Sequence, residues 1–179
     1  IVQLLVADGQ RVLVTALTHR AINNALDKIV QVDPALPVCK IGAGIRGQNL
    51  QAPNYENFAE SGFGDLPGGY AVGATTFATR TERLSHVDFD VVIFDEASQI
   101  TLPMAIMGML AGDKYLFIGD ERQLPPVITS GASEIGRTSI FGYLSGRGYE
   151  TMLTTTYRLN DVLAAWPSRT FYEGKIQPS

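Results

Sequence analysis

The sequence predicts an α/β domain built on a buried parallel sheet, and three observations predict it. Two short apolar runs, residues 91–94 (VVIF) and 115–118 (YLFI), show no alternation, the pattern of strands covered on both faces. Each runs directly into polar residues: Asp95-Glu96-Ala97-Ser98-Gln99 after the first, Gly119-Asp120-Glu121-Arg122-Gln123-Leu124-Pro125-Pro126 after the second. Strand-like runs also alternate with helical periodicities along the chain, as crossovers between parallel strands require.

In chain order, residues 1–6 have helical spacing, which Asp8-Gly9 ends. Residues 11–17 (RVLVTAL) are apolar and rich in β-branched side chains, so they read as a strand. Thr18 can cap the next helix, whose apolar face is Ile22, Ala25, Leu26 and Ile29 and which Pro34 stops. Residues 37–41 read as a short strand. From 42 to 69 the composition turns to Gly, Asn, Gln and Pro, giving a long loop with a short helical turn near 55–60. Residues 70–76 (YAVGATT) form another strand, ending in hydroxyls. A helix starts near Pro103 and runs to Gly112, with proline tolerated in its first turn. A short helix at 139–144 and a last strand at 152–156 follow. The tail 160–171 is helical, with Pro167 expected to break it late.

The 179 residues are the size of one ordinary domain, and 45% apolar content is enough for a core. No internal repeat divides them, so a single domain over 1–179 is expected. A net charge of −4 argues against a stand-alone nucleic-acid binder, though not against a domain that supplies part of a groove. The lone Cys39 precludes an internal disulfide framework and fits a reducing compartment. No run is long enough to span a bilayer and no signal peptide opens the chain, so a cytoplasmic protein with no membrane partner is expected. The apolar start, Ile1-Val2 and Leu4-Leu5-Val6, reads as the interior of an element and so as an excerpt from a longer polypeptide.

Open parallel sheets bind ligands beyond the carboxyl ends of their strands, where these acids and amides fall. An adjacent Asp-Glu pair there can divide the work of phosphate cleavage. Asp95 would hold Mg²⁺, a hard cation that prefers oxygen ligands, and Glu96 would orient or deprotonate water. The alternative is a surface acid pair after a strand. Gln123 can donate to a γ-phosphate oxygen and accept from water, and Leu124-Pro125-Pro126 stiffens its loop. Arg158 can stabilise transition-state charge near that phosphate, or pair ordinarily with Asp161. Thr15, Thr18, His19 and Arg20 at one strand-to-helix turn, and Thr75-Thr76 at another, suit phosphate oxygens. With two histidines and one cysteine, zinc is not expected. Gly42-Ala43-Gly44-Ile45-Arg46-Gly47 fits G-x-G-x-x-G, but Pro53 and the missing helical period after it argue against a dinucleotide loop. Gly174-Lys175 lacks the rest of a phosphate loop.

Together these segments resemble superfamily 1 helicases of the Upf/Nam7, nonsense-decay type. VLVTALTHRAINNAL resembles their motif Ia, YAVGATT motif Ib, VVIFDEASQ motif II, FIGDERQLPP motif III, and LTTTYRLND with the downstream FYEGKI motif IV. The resemblance implies a RecA-like first motor domain of the P-loop NTPase type, incomplete here, that binds ATP, Mg²⁺ and single-stranded DNA or RNA beside a second motor domain. It implies that Asp95 and Glu96 serve metal and water, that Gln123 and Arg158 contact the γ-phosphate, and that Tyr157 lies against the base. The residues around Thr18–Arg20 and Thr75–Thr76 would touch the nucleic-acid backbone. No G-x-x-x-x-G-K-[ST] occurs in the sequence, and loop 42–69 is short for a strand-gripping insertion. Without a phosphate cradle these 179 residues alone are expected to be inactive. A degenerate motor fold used as a non-catalytic binding or scaffold module is the alternative.

Overall fold

Helix α1 (Val2–Ala7) ends where Asp8 turns the chain and Gly9 takes a left-handed φ of 78°. Strand β1 (Arg11–Thr15) follows, its last four residues buried. Thr18 caps α2 (His19–Val32) as its spacing predicts, its hydroxyl oxygen accepting from the Ala21 amide at 3.1 Å. Ile22 and Leu26 are fully buried, with Ala25 and Ile29 packed beside them. The structure, a computed structural model, describes residues 1–47, 49–127 and 134–179. Gln48, within the expected long loop, lies outside the described residues.

The strands that join β1 are β2 (Val38–Ile41), β3 (Asn54–Tyr55), β4 (Tyr70–Gly73), β5 (Phe89–Phe94) and β6 (Gly112–Phe117). They form one parallel sheet in the order β3-β2-β4-β1-β5-β6. This is the expected α/β, RecA-like architecture. Alternate residues of β1 face opposite layers. Val12 and Val14 join a core with Val6, Ile22, Leu26, Val91 and Ile93 under α1 and α2. On the other face Phe94 stacks on Phe117 at 4.7 Å between ring centres. Helix α3 (Leu102–Met109) closes onto that face at Gly108, where a Cβ would stand 2.8 Å from the Phe94 ring. Gly73 has the same use for α2: a Cβ there would meet Leu26 at 2.5 Å.

The structure departs from the sequence expectations at four places. The 42–69 loop contains β3, which adds two residues to the sheet edge beside β2, as well as short 3₁₀ turns at Gly44–Gly47, Phe58–Ser61 and Phe63–Asp65. The YLFI run is not covered on both faces. It belongs to edge strand β6, where Tyr115 is 40% exposed and only β5 supplies a neighbour. The 152–156 segment is extended only at β7 (Thr155–Thr156), which pairs in parallel with β8 (Gln177–Pro178) in a separate two-stranded sheet. Finally, Pro167 does not break α6 (Asp161–Phe171). The helix is held on both sides of the proline, by the Asn160 cap on Leu163 N–H and by Ser168 Oγ, which bonds both backbone groups of Ile176.

Short helices α4 (Glu134–Arg137) and α5 (Ile140–Leu144) follow the sheet. The chain divides into two compact units, Ile1–Tyr143 with the six-stranded sheet and Leu144–Ser179 with α6, β7 and β8. No helix among the described residues is long and apolar enough to cross a membrane. Cys39 is fully buried, and burial pushes its thiol up to about 12, so it is an inert core residue.

Candidate active site

The two turns that carry the acids and amides are joined at the carboxyl ends of β5 and β6. The Ile118 amide donates to the Phe94 carbonyl and the Ala97 amide to the Ile118 carbonyl, each at 2.8 Å. Asp95 is tied to the next strand as well, its amide donating to the Thr15 carbonyl at 2.8 Å. The close approach depends on Gly119: a Cβ there would lie 2.9 Å from the Ser98 nitrogen and 3.2 Å from that of Ala97. Gly119→Ala is therefore expected to force the two turns apart. The cost should be about 1–3 kcal/mol in denaturant unfolding, as for other overpacked sites. An unchanged midpoint would show that the contact is dispensable.

Asp95 is half-buried, and burial holds its carboxyl above the usual range, partly offset by a hydrogen bond from the Glu96 amide. A carboxylate desolvated in this way gains from a cation beside it. Glu96, the next residue, is exposed and left-handed, with φ 53° and ψ 42°. For a non-glycine residue that conformation costs of order 1–3 kcal/mol. The twist turns the chain abruptly as it leaves the strand, so the two neighbouring carboxylates occupy different environments. Ser98 Oγ, two residues on, is buried with no partner among the described residues.

Gln123 is exposed. Its Nε2 donates to Asp120 Oδ2 at 3.0 Å, and its amide donates to the Asp120 carbonyl at 3.1 Å. Asp120 Oδ1 also accepts from the Arg122 amide at 3.0 Å, so one carboxylate sets the loop's shape. Asp120, Ser98 and Gly119 are the residues that sequence reasoning passed over. The signal for them was already present, since all three lie within the two quoted motifs.

The hydroxyl turns divide. Thr18 and Arg20 are exposed, and the Thr18 oxygen is engaged in the α2 cap. His19 is partly buried, with Nδ1 lacking a partner among the described residues. Thr75 is half-buried and accepts from the Ala78 amide at 3.3 Å. Thr15 and Thr76 are fully buried, their hydroxyl oxygens unpartnered among the described residues. They sit inside the sheet end rather than on its open surface. Tyr157 and Arg158 lie in the second unit, both exposed, just after β7. The Arg158 amide donates to Thr156 Oγ1 at 3.3 Å, and no Arg158–Asp161 ion pair forms among the described residues. The Gly42–Gly47 motif leads into a 3₁₀ turn and not a helix, so the strand-turn-helix of a dinucleotide site is missing.

A cleft of about 630 Å³ opens at the opposite rim, where Arg11 and Tyr70 begin β1 and β4. It contains none of the residues above. The acids and amides lie on the rim where parallel sheets carry their chemistry, and that rim is the candidate site.

A family profile described as an AAA domain matches residues 71–131, which begin within β4 and take in β5, β6 and Gln123. Across 99% of its length the chain is 29% identical to the DNA replication ATP-dependent helicase/nuclease DNA2 of Saccharomyces cerevisiae and 31% identical to that of Xenopus laevis. These matches agree with the α/β, RecA-like class of the six-stranded parallel sheet. Over 52% of its length the chain is also 40% identical to the probable helicase MAGATAMA 3 of Arabidopsis thaliana. It spans 12% and 18% of the two DNA2 proteins and 12% of the plant protein, a small part of each.

Proposed function

We propose that residues 1–179 are the larger part of the first motor domain of an ATP-dependent helicase or translocase that runs on single-stranded nucleic acid. What carries the reading is the joined pair of turns at the ends of β5 and β6, with desolvated Asp95, twisted Glu96 and Gln123 on one rim. A single carboxylate at a strand end, with phosphate oxygens and water to complete the shell, fits Mg²⁺. Asp95 would hold it, and when bound it would neutralise charge on the phosphates. Glu96 orients the attacking water and takes its proton. Gln123 contacts the γ-phosphate through the amide face that Asp120 positions, and the motif IV resemblance gives Arg158 a γ-phosphate contact.

The phosphate-cradling loop has no match in these 179 residues and would come from elsewhere in the polypeptide, as would the second motor domain. The motif set resembles the Upf/Nam7 type, while the DNA2 relatives favour DNA as the strand. Thr18, His19, Arg20 and Thr75 would lie along it, Tyr157 would lie against the base of the bound nucleotide, and the protein would work in the cytoplasm. The test is ATP hydrolysis by the full-length polypeptide with and without single-stranded DNA. Stimulation by the strand is the expected result. A full-length protein that binds ATP but shows no turnover with any strand would overturn the motor reading in favour of a scaffold.

A further inference from the structure

Lys40 stands in strand β2 with none of its surface exposed. A buried ammonium normally has a carboxylate partner. Lys40 Nζ donates instead to Asn23 Oδ1 at 2.5 Å and to the Arg46 carbonyl, which also accepts from Asn23 Nδ2 at 3.0 Å. The charges near it are of its own sign. Burial first, then Arg46, pushes the Lys40 ammonium below its ordinary range. Burial first, then Lys40 and Arg46, does the same to His19. No carboxylate contributes to either shift.

These groups converge at the carboxyl ends of β2 and β3. A Cβ on Gly42 would stand 4.0 Å from His19 Cε1, so the turn after β2 passes beside the imidazole. Asn54 Nδ2 holds the Gly42 carbonyl at 3.0 Å. Gly47 admits the Asn54 side chain, which a Cβ would meet at 2.7 Å. Two buried polar atoms, His19 Nδ1 and Asn54 Oδ1, have no partner here among the described residues. In a chain with net charge −4, two cations and an imidazole, with no carboxylate contributing to the Lys40 or His19 shift among the described residues, call for an anion.

We propose that the 42–47 turn and His19 form a phosphodiester site for the nucleic-acid strand, with Arg46 and His19 touching the phosphate oxygens and buried Lys40 positioning the turn. The site rests on the nucleic-acid reading above and adds to it a contact from a glycine-rich turn outside the helicase motifs. Burial, the first cause of the lowered His19 pKa, persists on binding, but a phosphate offsets the Lys40 and Arg46 charges, so binding favours the protonated imidazole. Affinity therefore falls as pH rises from the free toward the phosphate-bound pKa of His19.

The experiment measures binding of a labelled single-stranded oligonucleotide to the full-length polypeptide, without ATP, across about 50 to 200 mM salt. Arg46 is exposed, so Arg46→Ala should fold. It is expected to weaken binding about tenfold and to flatten the salt slope by about one contact. Lys40→Met should weaken binding similarly while leaving the exposed charge in place. Wild-type binding with equal binding by Arg46→Ala overturns this site alone. A wild-type protein that binds no strand overturns it together with the nucleic-acid reading. Displacement of the strand by millimolar inorganic phosphate would make it a small-anion site and overturn the diester assignment; failure to displace supports the diester.

Discussion

Glu96→Gln in the full-length polypeptide is expected to lower ATP turnover about 10²–10⁴-fold, the range a positioned general base supplies, while ATP affinity stays at the wild-type level. The substitution is nearly isosteric, and Glu96 is exposed with no side-chain hydrogen bond to lose among the described residues. The left-handed backbone is the same for either residue, so the unfolding midpoint should not move. Glutamine can still orient water but cannot take its proton. The loss should therefore fall on kcat in steady-state kinetics, with nucleotide binding read separately. Turnover within a factor of two of wild type would remove Glu96 from the chemistry and leave its backbone twist a feature of the fold alone.

Asp95 makes a contrasting case. Its carboxyl is held above its usual range because burial penalises the charge. At neutral pH the ionised form is a cost to the folded chain, and that cost is relieved as pH falls or as a cation arrives. The two adjacent acids thus differ in environment before any ligand is present: one is desolvated and suited to metal, the other is open to water.

Much of this arrangement was legible from residue order alone. VVIF is an unalternated run, and the structure buries all four side chains in a strand with a neighbour on each side. Thr18 followed by Ile22, Leu26 and Ile29 specifies both the cap and the buried face of α2, since the hydroxyl and the apolar period act locally. YLFI has the same pattern as VVIF but sits at the sheet edge. Edge or centre depends on which strands pair, and that is not a local property. Asn54–Tyr55 escaped notice because two residues carry no periodicity; only the register with Lys40 and Ile41 makes them a strand. Pro167 was misread for a related reason. The penalty for proline in a helix is local, but the bonds from Ser168 to Ile176 that hold the last turn span eight residues and cannot be read from pattern.

The site divides along the same line. Asp95, Glu96 and Gln123 could be named from the sequence because each follows a strand and strand ends define the rim. The dependence of that rim on Gly119 could not, because it arises from the packing of one turn on another. Lys40 was also passed over. A single lysine in PVCKI reads as a solvent-facing position, and only the full burial of its neighbours shows that it is inside.

Arg158→Ala is expected to cost about 10³–10⁵ in kcat, the worth of an arginine placed on a transferring phosphoryl group. Within its own unit Arg158 is exposed and makes no ion pair with Asp161 among the described residues, so the structure gives the guanidinium no local employment. Its removal should leave the unfolding midpoint within about 0.5 kcal/mol of wild type, as for surface positions generally. Strand affinity measured without nucleotide should also be unchanged, which separates this residue from Arg46. Arg158→Lys restores the charge without the planar fork of donors, and should recover only part of the rate. If alanine leaves kcat intact, the motif IV resemblance has lost its catalytic member. If alanine and lysine are equally slow, geometry rather than charge is what the arginine supplies, because a lysine in that place carries the same unit of charge.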